Sequence, residues 1–199
     1  TLASFKFTGQ QIGGELGAAM QRFAENPKDA AAAAIIAADP EYVGTLRTTC
    51  VATMLSGGHA ENALPQLATA TINCRIFPGV SVESVRLKIA EVIADSGATV
   101  KEVGTSFASD ASPLRDDVLL AVRKAVDANF VGLPVIPSMS SGATDSLYFR
   151  AQGIPSYGVS GAYVMPEDDY SHGLNERVPV STVARGLRHW HVLLTELAK

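Results

Sequence analysis

The six residues "HGLNER" at positions 172–177 contain the first side chain that could carry chemistry. His172 follows the acidic stretch "PEDDY" and precedes the last predicted helix. Imidazole is the commonest metal ligand in proteins, and loops that leave the strands of α/β layers often hold functional groups. The segment is therefore either a polar connection or the position of a metal ligand, and spacing alone leaves both interpretations open.

The turn "SSGATDS" at 140–146 is the second candidate. Small residues with free backbone N–H groups ahead of a helix can hold a carboxylate or an oxyanion. The alternative is that Thr144 or Ser141 only caps the helix. The turn is not a phosphate-binding P-loop or a nucleophile elbow, because it lacks the Gly-Lys-Ser/Thr and Gly-x-Ser-x-Gly patterns.

A third group lies in the loop "GGHAENALP" at 57–65, which carries His59 and Asn62, and on the strand after it, which carries Arg75. An arginine can bind a carboxylate through two parallel hydrogen bonds. The alternative is that the loop is an ordinary polar turn and that Arg75 is a solvent-exposed side chain without a ligand. His189 and His191 are two apart on the last predicted helix and point to different faces, so we interpret them as structural.

Composition limits the class of protein. The 199 residues are 47% apolar and 18% charged, as in a globular chain of one domain or two small ones. The net charge of −4 and the lack of a basic cluster argue against a nucleic-acid partner, and no apolar run approaches the roughly 20 residues of a membrane span. Cys50 and Cys74 lie on consecutive predicted strands, where they either face each other or are buried thiols, and buried thiols are favoured. The sequence assigns no compartment.

The order of predicted elements indicates an α+β protein. Residues up to about 49 are helical in character and are divided by Pro27 and Pro40. Alternating patterns then predict strands in "CVATMLSGG", "ATATINCRIF" and "ATVKEVGTSF", with a helix between the last two that Ser81 caps and Gly97 ends. Beyond a polar linker near residue 110, helices over 114–130, 147–153 and 179–199, the last capped by Ser181, alternate with the short runs "LPVIPSM" and "IPSYGVSG".

Three segments together carry a family resemblance. "TLRTTCVATMLSGGHAENALPQLATATINCRIFPG", "MSSGATDSLYFRAQGIPSYGVSG" and "HGLNERVPV" occur in this order and spacing. They closely resemble the later part of the aminoacylase / carboxypeptidase S family of dinuclear zinc peptidases, from about residue 40 to the end. The resemblance implies that residues 1–110 are most of a lid and dimerisation domain with an antiparallel sheet and helices. Residues 111–199 would be the C-terminal segment of an incomplete α/β catalytic domain.

The resemblance also implies roles for single residues. His172 matches a ligand of one of the two Zn²⁺ ions of a complete enzyme. Asn62 matches the lid asparagine that meets the substrate or its tetrahedral intermediate, and Arg75 matches the arginine that holds the substrate's carboxylate. Three residues match a turn whose backbone approaches the substrate: Gly142, Ala143 and Thr144. His59 is a weaker substrate-binding candidate.

The family's remaining ligand motifs are absent, because the chain contains neither His-x-Asp nor Glu-Glu. A catalytic zinc needs three protein ligands and a nearby general base, and His172 supplies one ligand. We therefore expect the C-terminal portion of a zinc-dependent metallopeptidase or amidohydrolase that cleaves an amide bond next to a free carboxylate, in an N-acyl amino acid or small peptide. We expect the chain to begin inside the lid, to be inactive alone and to form a homodimer through the lid.

Two alternatives stay open. The chain could be a non-catalytic dimerisation or interaction module derived from such an enzyme, or a separate chain could supply the missing half. An incomplete catalytic layer should also expose apolar surface, so we expect self-association or poor order in residues 111–199.

Overall fold

The computed structural model describes residues 2–165 and 168–199 and has the α+β fold that the sequence predicts. Its helices are α1 (Leu2–Ile12), α2 (Gly14–Glu25), α3 (Ala30–Ala37), α4 (Val82–Ile93), α5 (Asp116–Asp127), α6 (Ser146–Ala151) and α7 (Ser181–Leu197), with a 3₁₀ turn at Val43–Thr45. Its strands are β1 (Thr49–Gly57) and β2 (Ala68–Arg75). The chain divides into two compact units, one of Thr1–Ala111 with Pro137–Gly153 and one of Ser112–Ile136 with Ile154–Lys199. No helix in the described ranges is long and apolar enough to cross a membrane.

The first unit begins with a tight helical hairpin of α1 and α2. Gly13 and Gly14 both have a φ of 62°, a left-handed conformation that glycine adopts without steric cost, and they reverse the chain. Gly9 and Gly17 then allow the two helices to touch, since a Cβ on Gly9 would lie 2.5 Å from the carbonyl oxygen of Gly17. The sequence predicts breaks only at Pro27 and Pro40, so this reversal differs from the prediction.

A small apolar core lies among the first three helices. Its buried members come from all three: Phe5, Ala19, Met20, Ala32 and Ile36. Asp29 starts α3 by accepting a hydrogen bond from the backbone N–H of Ala32 at 2.8 Å. That bond is the main reason why the pKa of Asp29 is lowered. The cap and the core together fix α3 against α2.

The sheet of the first unit consists of β1 and β2, paired antiparallel from Thr49 opposite Arg75 to Gly57 opposite Ala68. The third strand predicted over residues 98–107 is wrong, because that segment contains no helix or strand. Apolar side chains on the hairpin stay in solvent, with Val51 62% and Leu55 79% exposed. Residues 98–107 alternate in sequence, but no strand of the described residues pairs with them.

Cys50 and Cys74 form a disulfide across the hairpin. The prediction that they are buried thiols is wrong, because the register places them directly opposite each other, with Cys50 exposed and Cys74 half-buried. The bond joins residues 24 apart in sequence. Closing a loop of that length in the unfolded chain stabilises the fold by about 3 kcal/mol in the chain-entropy account.

Helix α4 begins as the sequence predicts and ends earlier. Ser81 Oγ accepts a hydrogen bond from the backbone N–H of Ser84 at 3.1 Å, which confirms the predicted cap. The helix ends at Ile93 rather than near Gly97, because Ala94 adopts a left-handed conformation with a φ of 50°. Val85 is the only buried residue of α4. The helix therefore contributes little apolar burial to the unit.

The second unit is built on the pair α5 and α7. Ala121 and Ala125 of α5 pack against Leu193 of α7, and Lys124 binds Glu196 at 2.7 Å at the edge of this contact. The predicted cap of α7 by Ser181 is wrong, because Ser181 is the first residue of the helix, Val180 stands at the cap position and no side chain caps the helix. The runs "LPVIPSM" and "IPSYGVSG" are not part of any strand, so a regular α/β layer is absent from the described residues of this unit.

His189 is the largest polar side chain in the interior of the second unit. It is 1% exposed, and its Nδ1 atom lies 2.7 Å from the hydroxyl oxygen of Tyr163. Its other ring nitrogen, Nε2, is buried and has no hydrogen-bond partner among the described residues. Burial lowers the pKa of His189, and an interaction with the backbone of Ala125 opposes that shift in part. This placement agrees with a structural role for His189.

Candidate functional site

Arg75 is the last residue of β2 and lies at the open end of the hairpin, opposite Thr49. Its side chain is exposed and forms no ion pair with any carboxylate in the described ranges. The chain beyond it is held by a 3.0 Å hydrogen bond from the backbone N–H of Phe77 to Thr48 Oγ1. A guanidinium at a fixed backbone position and without an internal partner is free to bind an external carboxylate.

Asn62 and His59 lie on the loop between the strands, at the closed end of the hairpin, where Gly57 pairs with Ala68. Both side chains are exposed. His59 lines a shallow cleft of about 310 Å³ whose other lining residues come from the strand ends and the loop: Ser56, Gly57, Gly58, Gln66, Leu67 and Thr69. Arg75 is the last of the eight residues of β2 and this loop precedes the first, so the structure does not bring Asn62 and Arg75 together.

The turn that contains Gly142, Ala143 and Thr144 is exposed and irregular. The backbone N–H of Gly142 donates to Ser140 Oγ at 3.1 Å, so one of the N–H groups expected to face a ligand is already used. The expected cap by Thr144 or Ser141 is wrong, because Asp145 precedes α6 and no side chain caps that helix. Ala143 and Thr144 are therefore the remaining residues of the turn whose backbone a substrate could approach.

A cleft of about 370 Å³ lies beside this turn within the first unit. Hydroxyl-bearing side chains dominate its lining, which consists of Ser4, Phe5, Thr8, Glu41, Tyr42, Thr45, Ser138, Met139, Ser140 and Ser141. Burial and the neighbouring carboxylate of Glu41 raise the pKa of Tyr42. The phenol is therefore neutral at physiological pH, and sequence reasoning did not identify this cleft.

His172 lies in the second unit, in a turn after Tyr170. Its φ of 60° is left-handed, which is uncommon for a residue with a side chain. Its backbone N–H donates to Glu176 Oε1 at 3.1 Å, and the guanidinium of Arg177 stacks 3.4 Å from the centre of the Tyr170 ring. These local contacts fix the turn and leave the imidazole exposed.

Asp169 is the nearest carboxylate to His172 along the described chain. It accepts hydrogen bonds from the backbone N–H and the hydroxyl of Ser171. These bonds are the main reason why the pKa of Asp169 is lowered, with a further contribution from His172. The acidic residue Glu167 and its neighbour Pro166 lie outside the described residues.

The described residues do not form a complete zinc site. In residues 2–165 and 168–199, no three His, Cys, Asp or Glu side chains come close enough to hold a metal ion. A protein zinc site takes three or four such ligands, so these residues do not fit a complete site. No such group of ligands surrounds His172 in these ranges.

Three curated relatives are similar to most of this chain. The chain is 30% identical over 148 residues to N-fatty-acyl-amino acid synthase/hydrolase PM20D1 of Xenopus tropicalis, which covers 72% of this chain and 28% of the relative. It is 29% identical over 165 residues to Aminoacylase-1 of Mus musculus, covering 81% and 40%. It is 30% identical over 145 residues to Succinyl-diaminopimelate desuccinylase of Cereibacter sphaeroides, covering 68% and 35%.

The chain thus spans well under half the length of these relatives. No solved structure matches it. The sequence profile of Peptidase family M20/M25/M40 matches residues 10–196, which is nearly the whole chain and includes every candidate residue named above. The predicted resemblance to a family of metal-dependent peptidases and aminoacylases is confirmed, and the chain belongs to Peptidase family M20/M25/M40, a family of hydrolases.

Proposed function

We propose that this chain is the C-terminal portion of a zinc-dependent amidohydrolase that cleaves an amide bond next to a free carboxylate. The observation that carries the proposal is the family match over residues 10–196. The named relatives include a fatty-acyl-amino acid hydrolase, an aminoacylase and a desuccinylase. An N-acyl amino acid or a small peptide is therefore the substrate class that we propose for the complete enzyme.

Arg75 is the residue that we assign to the substrate's carboxylate. It is exposed, its backbone is fixed at the end of β2, and no described carboxylate occupies it. A guanidinium can hold a carboxylate through two parallel hydrogen bonds, which fixes both the position and the orientation of the substrate. Lysine could supply the charge at this position but not the paired geometry.

Asn62 and the turn at 142–144 are assigned to the rest of the substrate. An amide N–H of Asn62 can donate to the carbonyl oxygen of the scissile bond as negative charge develops there. The backbone of Ala143 and Thr144 can approach the acyl group or the amide without a large side chain in the way. His172 would provide one metal ligand, and the general base and the other ligands would come from residues that the chain does not contain.

The test is hydrolysis and metal content of the purified chain. We expect no measurable release of amino acid from an N-acetyl amino acid with added Zn²⁺, and less than one tightly held zinc per chain after dialysis. Mouse Aminoacylase-1, assayed beside it, is the positive control. Turnover at a rate similar to that control would overturn the proposal that the chain is catalytically incomplete.

Ligand binding distinguishes the hypothesis that the chain is part of an enzyme from the hypothesis that it is a non-catalytic module. We expect an N-acetyl amino acid to perturb the backbone NMR signals around Arg75, with the perturbation lost in Arg75→Ala and weakened in Arg75→Lys. A simple dimerisation module predicts no such perturbation. The N-acetyl amino alcohol, which lacks the carboxylate, is the matched control ligand.

We also infer that the chain forms a homodimer through the β1–β2 hairpin. Both outer edges of the hairpin lack a strand partner in the described residues, and Val51, Met54 and Leu55 are exposed on it. Unpaired edges and exposed apolar side chains favour association of sheets. Sedimentation of the wild type and of Leu55→Lys tests this inference, because a charge at this position should shift the equilibrium toward monomer.

A further inference from the structure

The cleft of about 370 Å³ beside the turn at 140–146 has a lining that suits a small organic cation. Among the described residues that line it, Glu41 is the one with a carboxylate, and none is Lys, Arg or His. Six of the ten carry an aliphatic hydroxyl group: Ser4, Thr8, Thr45, Ser138, Ser140 and Ser141. The cleft therefore offers a negative charge and hydroxyl oxygens without a cation of its own.

One wall of the cleft is fixed by the turn that carries Glu41 and Tyr42. Asp39 Oδ1 accepts a hydrogen bond from the backbone N–H of Glu41 at 2.9 Å, and the Asp39 carbonyl oxygen accepts from the N–H of Val43 at 3.1 Å. Thr45 Oγ1 donates to the carbonyl oxygen of Tyr42 at 2.6 Å, and Tyr42 packs against the helical core. These contacts hold the backbone of both residues in place.

The other wall is the segment 138–141, which touches that turn. A Cβ on Gly44 would lie 2.6 Å from the Cβ atom of Ser141, so only glycine allows this approach. Ser140 Oγ lines the cleft and accepts the backbone N–H of Gly142 at 3.1 Å. A group bound in the cleft would therefore lie next to the turn at 142–144.

The electrostatics of the cleft favour a positive charge. Burial raises the pKa of Tyr42, and the carboxylates of Glu41 and Asp39 raise it further. Surroundings that disfavour a phenolate anion favour a cation at the same place. An ammonium group has three N–H donors, for which carboxylate and hydroxyl oxygens are acceptors, and the face of a tyrosine ring attracts it as well.

Other classes of ligand fit this lining less well. A long apolar acyl chain would cover the hydroxyl groups without giving them hydrogen bonds. An anionic acyl group would lie against Glu41, with no cation among the described lining residues to balance it. A Ca²⁺ ion takes about six to eight oxygen ligands, usually with several carboxylates, and this lining supplies one carboxylate.

We propose that this cleft binds a free ammonium group on the acyl side of the substrate, so that the preferred substrate is a small peptide and not an amino acid with a neutral acyl group. The proposal rests on the proposed function, in which the turn at 142–144 approaches the acyl group or the amide. A peptide carries its α-amino group one carbon from the scissile carbonyl group. That distance places the ammonium group in the cleft when the carbonyl group lies at the turn.

Three ligands that differ in one group test the proposal on the full 199-residue chain. L-alanyl-L-leucine carries an ammonium group where N-lactoyl-L-leucine has a hydroxyl and N-isobutyryl-L-leucine has a methyl. Calorimetry measures affinity, and the backbone NMR signals of residues 41–45 and 140–142 report the place of binding. Alanyl-leucine should bind at least about fivefold tighter than either neutral ligand, because charge-assisted hydrogen bonds are the stronger ones. This preference should vanish as the pH rises well above about 8, where an α-amino group loses its proton.

Two matched glutamine variants locate the charge. Glu41→Gln keeps the size of the side chain and removes its charge, so the preference for alanyl-leucine should fall below about twofold. Glu15→Gln makes the same change in net charge on α2, outside the lining, and should keep the preference. Both side chains are exposed, so both variants should fold.

Equal affinity for the three ligands, or an unchanged preference in Glu41→Gln, would overturn the proposal. Tighter binding of 1,4-diaminobutane than of alanyl-leucine would also overturn it, because the cleft would then be a site for a free diamine. The NMR signals around Arg75 report the proposed function separately. Equal affinities with Arg75 perturbed by all three ligands would refute the ammonium site alone. Alanyl-leucine that perturbs residues 41–45 and never Arg75 would support the ammonium site and refute the assigned role of Arg75.

Discussion

Arg75 and Asn62 lie at opposite ends of the β1–β2 hairpin. Arg75 pairs with Thr49 at the open end, and the loop that carries Asn62 starts where Gly57 pairs with Ala68. The eight-residue strand β2, which follows the loop and ends at Arg75, extends over roughly 23 Å. The two side chains proposed to act on one small substrate are therefore attached to the fold far apart, and their effects on this chain should be independent.

Replacing either of these two residues should leave the stability of the chain unchanged. Both side chains are exposed, so we expect Asn62→Ala and Arg75→Ala each to change the free energy of unfolding by less than about 0.5 kcal/mol. Urea unfolding measures this. The double variant should show the sum of the two effects within about 0.5 kcal/mol, and a larger deviation would reveal a contact between them.

The helical core of the first unit should be sensitive to truncation. Ile36→Ala removes a fully buried side chain, and we expect it to lower the free energy of unfolding by about 2–4 kcal/mol. Ile93→Ala is the control, because Ile93 ends α4 and is 42% exposed. Equal losses in the two variants would contradict the burial of Ile36.

The disulfide should contribute measurable stability. Reduction with a phosphine, or the change of both Cys50 and Cys74 to Ser, should lower the free energy of unfolding by about 3 kcal/mol, because the unfolded chain loses its closed loop. Thermal unfolding with and without reductant measures the effect. The double serine variant is the control and should not respond to reductant. Two free thiols in the native, oxidised protein would refute the pairing.

Stability of the second unit should fall below about pH 6.5 because of His189. Burial lowers the pKa of this histidine in the folded state, so the unfolded chain binds the proton more readily as the pH falls through the ordinary histidine pKa. The loss should level off below the lowered, folded-state pKa. The fluorescence of the single tryptophan, Trp190, reports unfolding next to this side chain.

Two histidine variants test this pH dependence, one at His189 and a control at His191. His189→Gln should remove most of the decline between pH 7.5 and 5, while His191→Gln should keep it, because His191 is exposed. An unchanged decline in His189→Gln would assign the effect to another group.

The close approach of Gly161 and Gly186 gives a steric prediction. Gly161→Ala places a Cβ 3.0 Å from backbone atoms of Gly186 and 3.2 Å from the Trp190 ring, so we expect a loss of about 1–3 kcal/mol. Gly158→Ala is its matched control, since the new Cβ meets nothing within 4 Å. Chemical denaturation of both variants measures the difference, and similar losses would show that residues 157–163 do not pack on α7.

Local signals in the sequence predicted local structure well. Ser81 caps α4 as expected, because a serine hydroxyl can reach the N–H three residues on without help from the rest of the fold. Helices α5 and α7 lie within their predicted ranges, and α6 begins one residue before its predicted range. The reversal at Gly13 and Gly14 was missed, since two adjacent glycines in an alanine-rich stretch resemble a weakened helix.

Features that depend on a partner segment could not be predicted in the same way. Residues 98–107 and 154–161 alternate like strands, but a strand exists only where another one pairs with it, and the described chain offers none. Cys50 and Cys74 lie opposite each other only in one register of the hairpin. The sequence does not distinguish that register from one shifted by a single residue. The candidate residues were identified by family pattern, and their roles stay predictions.

The bond between Cys50 and Cys74 makes the hairpin depend on its surroundings as well as on its sequence. Disulfides persist in extracellular and periplasmic environments and are reduced in most cytosols. The bond lies one residue before Arg75, so an oxidising environment would hold the arginine on a cross-linked frame. In a reducing one, the same arginine would be held only by backbone pairing between two strands. The redox state of the compartment would thereby determine how rigidly the hairpin holds the guanidinium of Arg75.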